Sequence, residues 1–156
     1  MKPHLPQFIL LRGTRHLCHE FYSELSKRTE ITYMDLCDPI LEETVNIFYG
    51  HTTLDVDTLW TKTLPDTAHT LESWIAMQRD FWRATLGRDI LAKIFTRYYL
   101  EHDWQTLFPT IVIRDYDEKA DLDVIQNRFG PNSCLIVVPP FDVDAFIQQH
   151  TPNAAA

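Results

Sequence analysis

Apolar positions along this chain follow two rhythms. Near-continuous apolar runs occupy residues 7–12, 110–113 and 133–138, each closed by turn-forming or charged residues. Runs of that length predict strands buried on both faces, as in a parallel sheet. A shorter strand is predicted at 31–34. Between these runs, apolar residues recur every three or four positions, the period of an amphipathic helix. One helix is predicted over 14–27, with Leu17, Phe21, Tyr22 and Leu25 in step. A second begins at Asp38-Pro39, a capping carboxylate followed by a proline suited to the first turn. It carries Leu41, Val45 and Phe48 on one face and stops at Gly50.

The stretch from His51 to Asp66 has no clear period and predicts a loop with a short helical piece. Then Leu71, Trp74, Ile75, Gln78, Phe81, Trp82, Leu86, Ile90, Ile94 and Tyr98, in steps of three or four apart from adjacent pairs, mark either one long helix or two helices joined near Gly87. Further helices are predicted at 119–129, ending at Gly130-Pro131, and after Asp142, with Val143, Phe146 and Ile147 facing inward. Strands alternating with helices predict an α/β fold: a small, mostly parallel sheet of about four strands, flanked by helices and joined by right-handed crossovers. Ligands in such sheets bind beyond the carboxyl ends of the strands.

Composition narrows the function. The chain has 156 residues, 45% of them hydrophobic, enough for a single domain over 1–153 with a substantial core. Ala154-Ala155-Ala156 reads as a cloning remnant. A net charge of −8 argues against general nucleic-acid or anionic-membrane binding, which needs a basic footprint. No apolar run has the length of a membrane span or of a signal-peptide core. Cys18, Cys37 and Cys134 are an odd, scattered set, as expected for free thiols in a reducing, cytoplasmic setting (the host cytoplasm if the protein is viral). His16, Cys18 and His19 fit no standard zinc spacing, so no metal site is expected.

The turn at Gly13 has the frame of a phosphate-binding loop, G-x-x-x-x-G-K-[ST], in which the lysine neutralises phosphate oxygens and the hydroxyl holds Mg²⁺. Counted from Gly13, the last three positions are Cys18, His19 and Glu20. The frame is present without its functional groups.

Four segments, in order, resemble the phage-type deoxynucleoside monophosphate kinases, a P-loop family that uses ATP and Mg²⁺. They are the opening strand-turn-helix, Met34 to Leu41, Ala84 to Ile90 around Leu86-Gly87-Arg88-Asp89, and Ile111 to Pro139. The resemblance implies a three-layer P-loop kinase-like fold. It implies a residual phosphate or nucleotide site at Gly13, Arg15, His19, Arg79, Arg83, Arg88 and Asp115, with Arg12 nearby. The departures run against catalysis. Leu41, Asp117 and Asp121 stand where the family has lysine, arginine and glutamate, and Ala84 and Arg88 replace its glutamine and threonine. Phosphoryl transfer depends on neutralising negative charge, and each lost clamping cation removes a factor on the order of 10³.

The expectation is therefore a pseudoenzyme that needs no cofactor and binds a protein partner, such as a phage protein acting on a host target. Its candidate contact residues are the acidic Asp117, Glu118 and Asp121, together with Trp74 and Trp82. The alternative is a divergent nucleotide kinase using Mg-ATP. A structural protein that forms homo-oligomers is a further alternative.

Overall fold

The two long apolar runs at opposite ends of the chain become neighbours in one sheet. In the computed structural model, which describes residues 2–50, 55–117 and 119–152, the strands are β1 (Phe8–Leu11), β2 (Thr32–Asp35), β3 (Ile111–Arg114) and β4 (Cys134–Val137). All are parallel, in the order β2-β3-β1-β4. Phe8 stands level with Ile111 on one side and Cys134 on the other. Asp35 stands level with Arg114.

The helices are α1 (Arg15–Ser26), α2 (Asp38–Tyr49), α3 (Val56–Leu59), α4 (Leu71–Leu86), α5 (Ile90–Glu101), α6 (Trp104–Leu107), α7 (Ala120–Phe129) and α8 (Val143–His150). Alternate residues of each strand face opposite layers, as the pleat requires. Phe8, Leu10, Ile111 and Ile113 pack under α2, α4, α5 and α7, while Ile9, Leu11 and Val112 pack under α1 and α8. The result is an α/β architecture in three layers. None of the described helices is long and apolar enough to cross a membrane.

Three local outcomes refine the expected pattern. The long periodic segment is two helices: Gly87, at φ 116°, ends α4, and Asp89 precedes α5. A side chain at position 87 would be strained by that φ and would place its Cβ 3.1 Å from Asp89 Oδ1. Gly87→Ala is expected to destabilise the protein by about 1 kcal/mol or more, read as a lower urea midpoint at unchanged slope. An unchanged midpoint would mean that the joint adapts freely.

The second departure is at α2. Its cap is Cys37, with no side-chain capping bond. Asp38 is the first helical residue, and its Oδ2 accepts the Asp35 amide at 3.2 Å. The third is β4, which was expected to be buried on both faces. It pairs with β1 alone, so it is an edge, and Ile136 is 41% exposed.

Candidate functional site

β1 and β3 are adjacent, yet α1 leaves β1 on one face of the sheet and α7 leaves β3 on the other. The point where connections part in this way opens a crevice beyond the carboxyl ends of the strands. Here the crevice is a cavity of about 200 Å³ lined by Arg12, Gly13, Arg114, Asp115 and Tyr116.

The turn that should cradle phosphate is closed. Thr14 caps α1, its Oγ1 accepting the Leu17 amide at 3.3 Å. Residues 14–17 are therefore cap and first turn, in step with the helix predicted from residue 14. Cys18 is fully buried beneath the turn, with Sγ 3.5 Å from where a Gly13 Cβ would stand and Pro139 equally near. Burial pushes the Cys18 thiol up to about 11, so it stays protonated. His19 packs edge-on against Tyr33. Burial, and after it the Arg15 charge, lower its pKa, which disfavours a cation where a phosphate loop carries one. Glu20 faces outward and meets His16 at 3.2 Å.

A first polar network forms at the end of β2. Asp35, 2% exposed, accepts Arg114 in two bonds, Nε to Oδ1 at 2.8 Å and Nη2 to Oδ2 at 3.0 Å. It also accepts Arg15 Nη1 at 2.7 Å and the Tyr33 hydroxyl at 2.8 Å. Burial opposes the charge of Arg114, but the bonds and charge of Asp35 outweigh it and raise the pKa. Arg15 also reaches Asp57 at 3.3 Å and lies over the Trp60 ring, 4.6 Å from its centre. Asp38 has no ion pair among the described residues. Burial first, and the Asp35 charge second, push its carboxyl up to about 7.

A second network joins α4 to the β3–α7 turn. Asp115 sits at φ 64°. Its Oδ1 accepts Arg79 Nη1 at 2.8 Å and its Oδ2 accepts the Cys37 thiol at 2.7 Å. Arg83 Nη2 donates to Asp121 Oδ2 at 3.0 Å and to the Asp115 carbonyl at 3.2 Å. Arg88 Nε donates to Asp117 at 3.1 Å. Asp117 also accepts the Lys119 and Ala120 amides at the start of α7. The Ala120 amide and then Arg88 hold its carboxyl below the usual range.

The residues named from sequence thus fall into two groups. Arg15 and His19 meet the Asp35 network, and Arg79, Arg83, Arg88 and Asp115 meet the turn before α7. Gly13 lines the crevice. Every one of the four arginines assigned to phosphate ends on a carboxylate. Arg79 also reaches Asp80 at 3.3 Å.

The proposed acidic contact surface needs correction at Asp121. It is fully buried, held by Arg83 and by the Asp117 amide at 2.6 Å, and cannot face a partner. Glu118 lies outside the described residues. Trp74 packs edge-on to Phe48, and Trp74 and Trp82 both rest partly buried on the core. Phe81, between them in sequence, is 60% exposed.

Sequence reasoning missed Asp35 as the hub of four donors and Asp38 as an unpaired acid. An acid and a base ending two predicted strands, Asp35 and Arg114, was the available signal. No group of three or more His, Cys, Asp or Glu among the described residues is arranged to hold a metal ion. No protein-family model matches the chain, and a search of curated proteins finds no match.

Proposed function

We propose that this chain is a catalytically degenerate deoxynucleoside monophosphate kinase-like protein, a pseudoenzyme that acts by binding a protein partner. The observation that carries this is the pairing of Arg15, Arg79, Arg83 and Arg88 with the chain's own carboxylates. To hold a phosphate, each arginine would have to leave a carboxylate that already supplies its countercharge. Asp121, fully buried, would then be left without its cation, a change that costs several kcal/mol, and Asp35 would keep Arg114 alone.

Mg-ATP fits these residues poorly. Cys18 is buried beneath the turn after β1, the pKa of His19 is lowered, and Glu20 stands where a metal-binding hydroxyl would be needed. Support for a partner comes from α4, where Met77, Phe81 and Leu86 are exposed apolar residues, a pattern typical of contact surfaces. The setting implied by the resemblance is a phage protein with a host target.

A divergent nucleotide kinase is the second reading. It is favoured by the crevice at the ends of β1 and β3, where Arg12 and Arg114 both line the cavity. Calorimetry with ATP, with and without Mg²⁺, together with transfer assays to each deoxynucleoside monophosphate, separates the two. The expected result is no saturable heat at micromolar nucleotide and no product. Micromolar Mg-ATP binding with turnover, abolished in Arg15→Ala, would establish the kinase instead.

A further inference from the structure

A second recess lies on the α5 side of β2, away from the closed turn. Its volume is about 220 Å³, roughly seven water volumes. The walls are chiefly apolar and aromatic: Met34, Phe95, Tyr98 and Trp104, with Pro39 and Ile94 completing them. Tyr98 and Trp104 meet edge to face at 5.2 Å. The charged residues that line the recess are all acids: Asp35, Asp38 and Glu42.

These acids are not equivalent. Asp35 is covered by Arg15, Arg114 and Tyr33. Asp38 has one bond, from the Asp35 amide, and neither it nor Glu42 forms an ion pair among the described residues. Aromatic faces attract cations, more strongly where water is excluded. A carboxylate held in a partly desolvated recess without a cation gains most from an ammonium group that can donate to it. An apolar recess with a few convergent polar groups and a perturbed acid has the makeup of a small-molecule site.

We propose that this recess binds a small primary alkylammonium ion, its alkyl stem against Phe95, Tyr98 and Trp104 and its ammonium donating to Asp38 and Glu42. Three N–H donors suit two carboxylates, and a stem of a few carbons fits the volume. The site goes beyond the partner-binding role above and does not depend on it.

The test uses the full chain with n-butylammonium chloride, matched against sodium chloride at equal ionic strength and against 1-butanol as the uncharged counterpart. Binding is followed by calorimetry and by two-dimensional NMR of the Trp104 indole and Ile94 methyl signals. The expected result is saturable binding of n-butylammonium, with shifts at both signals, and affinity for 1-butanol weaker by about tenfold or more. Asp38→Asn weakens n-butylammonium by a similar factor of about ten. Ile94→Trp, which fills the recess from α5, removes binding with the circular dichroism spectrum unchanged. Equal affinity for the amine and the alcohol would overturn the proposal, as would absence of saturable binding or shifts confined to other parts of the molecule. The wild-type comparison decides the matter even if either variant folds poorly.

Discussion

Asp35→Ala is expected to lower folding stability by about 3–5 kcal/mol, the range seen when one member of a buried ion pair is removed. Asp35 is the only carboxylate shared by Arg15 and Arg114 among the described residues, and both guanidiniums are largely buried against it. Without it, Arg114 loses two charge-assisted bonds and Tyr33 loses its acceptor. Arg15 keeps only the more exposed Asp57. Replacing the three charges together with apolar residues of similar volume should recover most of the loss, because uncompensated charge rather than lost packing is the cause. Urea denaturation of the single and triple variants measures both. A loss below about 1 kcal/mol in Asp35→Ala would mean that water already serves these arginines.

Asp38→Asn is expected to act in the opposite direction. The folded protein holds a proton on Asp38 up to about pH 7, against an ordinary value of 3.8. From about pH 4 to about pH 7 the folded state therefore binds more protons than the unfolded chain, and stability falls as pH rises. Above pH 7 the full penalty of a half-buried carboxylate without an ion pair is present. The amide still offers an oxygen to the Asp35 N–H but carries no charge. The variant should be more stable than the parent at pH 8, by roughly 2–4 kcal/mol. Loss of a carboxylate from the first turn of α2 subtracts up to about 1 kcal/mol from that gain. The advantage should shrink toward pH 4. Parallel Tm profiles for parent and variant across this range would show that Asp38 is well hydrated and would remove the reason for its raised pKa.

The arginine pairings explain why sequence reasoning reached the strands and helices more readily than the site. Phe8–Leu11 and Ile111–Arg114 announce themselves through local composition, since a strand buried on both faces must be apolar throughout. Gly87 and the cap at Asp142 are equally local signals, and both stand where they were expected. Pairing is different in kind. Arg114 and Asp35 are 79 residues apart, and Arg83 and Asp121 are 38 apart. Which of them meet depends on β3 lying between β1 and β2, a fact no local pattern carries.

The turn at Gly13 shows the same division. The helix start at Thr14 is a local signal and stands where the period puts it, but the burial of Cys18 beneath the turn depends on the layers that close over it. Asp121 looked like one more surface acid in an acidic run, yet the helix period places it inward, level with Ile125. Asp117, in the turn before α7, is itself mostly covered and accepts the Lys119 and Ala120 amides at the helix start.

The free edge of β4 bears on how the protein behaves when concentrated. An unpaired strand edge offers hydrogen-bonding groups to other chains, and many proteins blunt it with lysine. Residues 134–138 contain no charged side chain, and Ile136 and Val138 are exposed there. What limits this edge is its length. The strand has four residues and is followed within two by Pro139-Pro140, which have no amide hydrogens to donate to a ladder. Resistance to edge-to-edge association therefore rests on two prolines rather than on charge, and a substitution that removed them would lengthen the exposed template before it altered the core.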